Sequence, residues 1–177
     1  MASRGNTLSI EALGVFRPLA RPSSPADPVR YLRHVPRPRL TYASRAAQPL
    51  GDHVLDVILR QSRKNNPKHG ITGMLCFAND VFVQVIEGGR SEVCRLLAAI
   101  VQDERNIDVE ILSYQEICER QFGNWTMGQV NMANINPGLL LKYSEKAELN
   151  PFKRSGEATM ALLLEIAASG AIASRTS

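Results

Sequence analysis

Apolar and polar positions along the chain follow two periods. Residues 40–45, 71–78, 81–87, 107–117 and 124–130 read as strands from their β-branched and aromatic content. Two longer stretches carry apolar residues at helical spacing. These are Val54, Leu55, Ile58 and Leu59 within 50–65, and Val93, Leu96, Leu97, Ile100 and Val101 within 91–103. Pro67 and Gly70 close the first helix, Asn79-Asp80 makes a two-residue hairpin turn, and Gly88-Gly89 ends the following strand. The order βαββαββ predicts an α+β fold with a ferredoxin-like sheet and two helices on one face.

Within 81–87, Phe82, Gln84 and Ile86 share one side of the strand and Val81, Val83 and Val85 the other. Both sides are apolar apart from Gln84. Two helices can cover only one, so the other needs a lid or a partner. Leu139-Leu140-Leu141 and the apolar stretch 158–168 supply C-terminal helices for it, with a helix start at Pro137 and a break at Pro151. There is no internal repeat.

Charge divides the chain. The formal net charge is +4, yet residues 1–39 hold seven arginines and two acids, while the rest carries 14 basic and 15 acidic side chains. The basic excess belongs to the N-terminal segment, so no nucleic-acid surface is expected on the folded part. Residues 1–38 read as an Arg/Pro-rich tail with at most a short helix or strand near 8–15. Residues 39–131 read as the folded domain and 132–177 as a C-terminal helical extension. No apolar run approaches the roughly 20 residues that span a bilayer, and no secretory signal is evident. Cys76, Cys94 and Cys118 lack metal-ligand spacing; Cys76 and Cys94 read as reduced core residues, in keeping with a cytoplasmic protein.

The residue that needs explaining is Gln84, because burying an unpaired amide costs roughly 1–3 kcal/mol. Tyr42, on the first strand, carries a hydroxyl that can pair with it. Ile58, Ser62 and Asn66 recur at four-residue spacing on one side of the first helix. Trp125 and Met127 share one face of the last predicted strand by period two. Each has a bland alternative: a core tyrosine with a satisfied hydroxyl, an asparagine helix cap, two large core fillers. Asn65 is more ambiguous than Asn66. Glu87-Gly88-Gly89 fits neither phosphate-binding fingerprint. His34, His53 and His69 form no triad or metal set, and Ser44 has no adjacent base, so hydrolysis is poorly supported.

As an ordered set these residues resemble the BLUF family, blue-light sensors that use flavin. The resemblance spans about 38–130. It rests on Leu-Thr-Tyr-Ala-Ser-Arg at 40–45, Asn66, Gly-Ile-Thr-Gly-Met-Leu at 70–75, Phe-Val-Gln-Val-Ile-Glu-Gly at 82–88 and Trp-Thr-Met at 125–127. It implies FAD, with FMN or riboflavin as alternatives, bound with its ring between the two helices. By position, Tyr42 would donate an electron and proton, and Gln84 would bridge Tyr42 to the ring. Asn66 would hold the carbonyl and N3 side, and Ile58, Ser62, Leu75 and Phe82 would line the ring pocket. Arg105 and Asn106 would lie at the sugar and phosphate end, with Trp125 and Met127 relaying the signal. With no room for a cyclase or cyclic-dinucleotide phosphodiesterase domain, the chain reads as a short, single-domain, non-enzymatic photoreceptor acting through a separate effector protein, and the two-faced apolar sheet supports a movable lid or a homo-oligomer interface. A non-photoactive ferredoxin-like dimeric regulatory or binding module, and a ferredoxin-like hydrolase acting on acyl phosphates, are the competing readings.

Overall fold

The computed structural model describes residues 37–173. The tail expected at 1–38, including an element near 8–15, lies outside the described residues except for Arg37 and Pro38. These two belong to the first strand, which begins at Arg37, two residues before the expected boundary.

Among the described residues, six strands and three helices of 12 to 14 residues build the core of the fold. Strand β1 (Arg37–Ala46) leads to helix α1 (Asp52–Asn65), and a single 3-10 turn ends at Gly70 in the left-handed conformation. Strands β2 (Thr72–Ala78) and β3 (Val81–Glu87) form the expected hairpin. Asn79 and Asp80 both have positive φ, as the tight turn between two right-twisted strands requires. Helix α2 (Arg90–Val101) and the long strand β4 (Asn106–Ile117) follow. Strand β5 (Gly128–Val130), helix α3 (Pro137–Leu141), helix α4 (Gly156–Ala168) and strand β6 (Ile172–Ala173) complete the described chain. The sheet order is β4-β1-β3-β2-β5-β6, with β3 central and β5 parallel to β2.

The strand parity of β3 holds in three dimensions. Ile86 packs with Leu40, Tyr42 and Val93 under α2, and Phe82 packs with Leu59, Leu75 and Met127 under α1. On the other side, Val81, Val83 and Val85 join Met74 and Cys76 beneath Leu140, Leu162, Leu163 and Ile166. The C-terminal segment is therefore the lid that the two-faced strand demanded. A Cβ on Gly156 would lie 2.0 Å from the Leu112 carbonyl oxygen, so glycine lets α4 begin in close contact with β4.

Two expectations fail. Cys94 is exposed, because it points away from the sheet beside the buried Val93. The strand expected at 124–130 is real only for its last three residues. Its first part is irregular because side chains and isolated amides take up its polar groups instead of a neighbouring strand. The Glu87 carboxylate, fully buried, accepts hydrogen bonds from the backbone N–H groups of Gln121 at 3.2 Å and Phe122 at 3.0 Å, and from Arg39 Nε at 2.7 Å. Arg120 donates to the Gly70 carbonyl and the Thr72 hydroxyl, and the Gly73 N–H donates to the Trp125 carbonyl at 2.9 Å.

Candidate functional site

Strand register places Tyr42 of β1 directly opposite Gln84 of β3, with Leu75 of β2 on the other flank. All three side chains are buried on the helix face. The Tyr42 hydroxyl donates a hydrogen bond to Gln84 Oε1. Gln84 Nε2 donates to Met127 Sδ at 3.2 Å. The buried glutamine thus has a partner at each end of its amide. The orientation is chemically directed: a thioether accepts but cannot donate, so turning the amide over would face Oε1 with a second acceptor.

A cavity opens above this row, between α1 and α2. Its walls are Ile58, Leu75, Phe82, Leu96 and Ile100, and its polar groups are Tyr42, Ser62, Gln84, Asp103 and Asn106. The cavity measures about 80 Å³ and opens to solvent at its mouth. Apolar walls with a few convergent polar groups along one edge suit a planar, amphipathic ring. The residues present therefore fit a flavin, provided α1 and α2 part to admit it.

Of the sequence-predicted positions, Tyr42, Ile58, Ser62, Leu75, Phe82, Gln84 and Asn106 meet at this cavity. Asn106 also accepts a hydrogen bond from the Ser44 hydroxyl at 3.0 Å. Two positions stand apart from its walls. Asn66 turns its amide Nδ2 to the Thr126 carbonyl at 2.6 Å, while its backbone N–H caps α1 through the Ser62 carbonyl. Arg105 folds back on Asp103, with Nε at 2.8 Å from one carboxylate oxygen and Nη2 at 2.5 Å from the other. Those hydrogen bonds hold the Asp103 carboxyl below its ordinary range. Leu96 and Ile100 were legible as the apolar stripe of α2, whereas Asp103 carried no signal at all.

Met127, 1% exposed, takes the inward place beside Gln84. Trp125 instead belongs to the lid-side core, its ring tilted against Phe122 at 6.3 Å between centroids. Its indole N–H is buried without a partner.

Burial raises the pKa of the Tyr42 phenol, and the nearby Asp103 carboxylate adds to the rise. Burial likewise pushes the Cys76 thiol from 9.0 up to about 12. Both groups are neutral in the fold at physiological pH. Their contribution to stability is complete below the unfolded-state pKa. It is lost as pH climbs towards the folded-state value, because the unfolded chain releases its proton first. For Cys76 the window is pH 9 to about 12, with a slope of about 1.4 kcal/mol per pH unit. Urea midpoints measured from pH 8 to 11 should fall with rising pH, and less steeply in Cys76→Ala. Equal slopes would contradict the assignment.

The fold and cavity define a ligand-binding α+β domain of the ferredoxin-like class. A family model, BLUF, described as sensors of blue-light using FAD, matches residues 38–128. The chain belongs to the BLUF family, and the domain is a flavin-binding blue-light sensor. The photoactivated adenylate cyclase subunit beta of Euglena gracilis is 36% identical over 89 residues, which make up 50% of this chain and 10% of that protein. BlsA in its photo-activated state superposes with a TM-score of 0.65 at 29% identity, covering 80% of this chain and 99% of that one. BlrB, a BLUF protein in its dark state, gives 0.59 at 31% identity, covering 76% and 97%.

Proposed function

We propose that Tyr42 and Gln84 are the photochemical pair of this blue-light sensor, that Met127 and Trp125 relay their state, and that the C-terminal helices carry the output to a separate partner protein. The observation that carries this reading is the unbroken chain from the Tyr42 hydroxyl through the Gln84 amide to the Met127 sulfur, set in the cavity wall. Bound flavin, as FAD with FMN or riboflavin as alternatives, would supply the blue-light absorption and an acceptor for an electron and a proton. Ile58, Ser62, Leu75 and Phe82 would flank the ring, and Asn106 and Arg105 would serve its outer end. Asn66, which holds the Thr126 carbonyl outside the cavity walls, would reach the ring edge only with its second amide hydrogen and its Oδ1.

Tyr42 directs its hydroxyl proton at Gln84 Oε1. When Tyr42 gives up an electron and that proton, the donor that fixes the amide is gone. Gln84 can then change its orientation, or its tautomeric form, and with it the contact to Met127. Two arrangements of one buried network form a bistable element. Strand β5 begins one residue after Met127 and pairs with β6, which follows α4, so the relay is covalently close to the lid.

We read the chain as a sensor rather than an enzyme, acting in the cytoplasm. The exposed Ile107, Ile111 and Tyr114 on the edge strand β4 support a homo-oligomer. The test is a light-minus-dark absorption spectrum of the purified protein. A reversible red shift of the flavin bands is expected, and its absence in Gln84→Leu. A colourless protein, or a spectrum indifferent to light, would overturn the assignment.

A further inference from the structure

Met127 is held at both ends. Its sulfur accepts from Gln84 Nε2 at 3.2 Å, and its carbonyl accepts from Arg63 Nε at 3.1 Å. Three residues further along, Asn66 holds the adjacent Thr126 carbonyl at 2.6 Å. Arg63 and Asn66 lie on the same side of the helical path because residues three apart are neighbours there. The end of α1 thus clasps the main chain of 126–127, while β3 holds the Met127 side chain. The clasp sits where the irregular stretch after β4 becomes β5, and the Gly73 N–H on the Trp125 carbonyl adds a main-chain hold just before it. Arg63 also keeps Nη2 buried without a partner, a second donor already desolvated beside the segment it grips.

We propose that Arg63 is a positioning residue for the photocycle. By fixing the Met127 carbonyl it keeps the sulfur within reach of Gln84, and it sets how readily the segment leaves that position. Arg63 acts through Met127, since it does not line the cavity. The inference rests on reading Tyr42, Gln84 and Met127 as the photochemical chain. Without the clasp, Met127 would wander from Gln84, the preferred amide orientation would be less strongly held, and the segment 125–130 would open more often.

The test compares Arg63→Leu, which removes the guanidinium, with Arg63→Lys, which restores a charged donor. Trp125 is the sole tryptophan of the chain, so its fluorescence reports this segment alone. In Arg63→Leu, acrylamide should quench Trp125 more strongly, and the amides of Gly128–Val130 should exchange with deuterium faster. Dark recovery after illumination should change by about tenfold, the scale of one charge-assisted hydrogen bond. Arg63→Lys should return part of each effect. Unchanged quenching, exchange and recovery in Arg63→Leu would overturn the proposal. So would a lower melting temperature with unchanged recovery, which marks a purely structural role. If Arg63→Leu does not fold, the same three readouts on Arg63→Lys decide, with intermediate values expected and wild-type values counting against. Quenching and exchange are also read on the flavin-free protein. A wild-type protein without any red shift would therefore overturn the proposed function, while the clasp would still be judged on those two readouts.

Discussion

Tyr42→Phe is expected to retain flavin and an ordinary dark spectrum while losing the reversible red shift under blue light. The substitution removes one oxygen from a buried row and leaves the ring in place against Leu40 and Ile86. Gln84 Oε1 then lacks its donor in the fold. That orphaned acceptor costs about 1–3 kcal/mol, which a domain of this size can absorb. The photochemical loss should be far larger, because a phenylalanine has no proton to give and is a much poorer electron donor. Illumination of the variant and wild type side by side measures it. A red shift of full size in Tyr42→Phe would remove Tyr42 from the mechanism, whatever the fate of the fold.

The second large effect is on stability. Glu87→Ala should destabilise the fold by about 3–5 kcal/mol, the range found when one partner of a buried ion pair is deleted. Glu87 is fully buried on the lid face and gathers Arg39 and the N–H groups of Gln121 and Phe122. Alanine would leave a buried guanidinium unpaired and two amides without acceptors. It would also release the stretch that leads to Trp125 and Met127. Glu87→Gln keeps the shape and one acceptor oxygen, so its loss should be smaller. Urea unfolding of the two variants provides the comparison; a Glu87→Ala midpoint equal to wild type would show that the network contributes nothing net. The effect is separable from photochemistry, since Glu87 faces away from the cavity.

Glu87 also shows where sequence reading reaches its limit. A glutamate closing an apolar strand before Gly88-Gly89 looks like the exposed end of an element. Its burial depends on residues 34 and 35 positions further on, whose amides arrive only when the chain folds. Arg63 is similar. At the end of α1 it reads as a solvated basic residue, a pattern common in last helical turns, and its acceptor is 64 residues away.

What the sequence determined by itself is the placement of the regular elements, where local period governs. The alternation along 81–87 placed Gln84 among apolar neighbours, with Val81, Val83 and Val85 on the opposite side. The helical spacing marked the two helices, and Asn79-Asp80 marked the hairpin. The ordered motifs then pointed to flavin and to Tyr42, Gln84, Asn66, Trp125 and Met127. Tertiary structure alone decided which of the last two sits against Gln84, that Asn66 and Arg105 turn to Thr126 and Asp103, and that the predicted strand at 124–130 forms only at Gly128–Val130. The reason is physical. Periodicity reports which side of an element avoids water, because that is a property of neighbouring residues. The partner of a polar group in an irregular segment is chosen by whatever distant chain lies within 3 Å of it, and only the fold determines that.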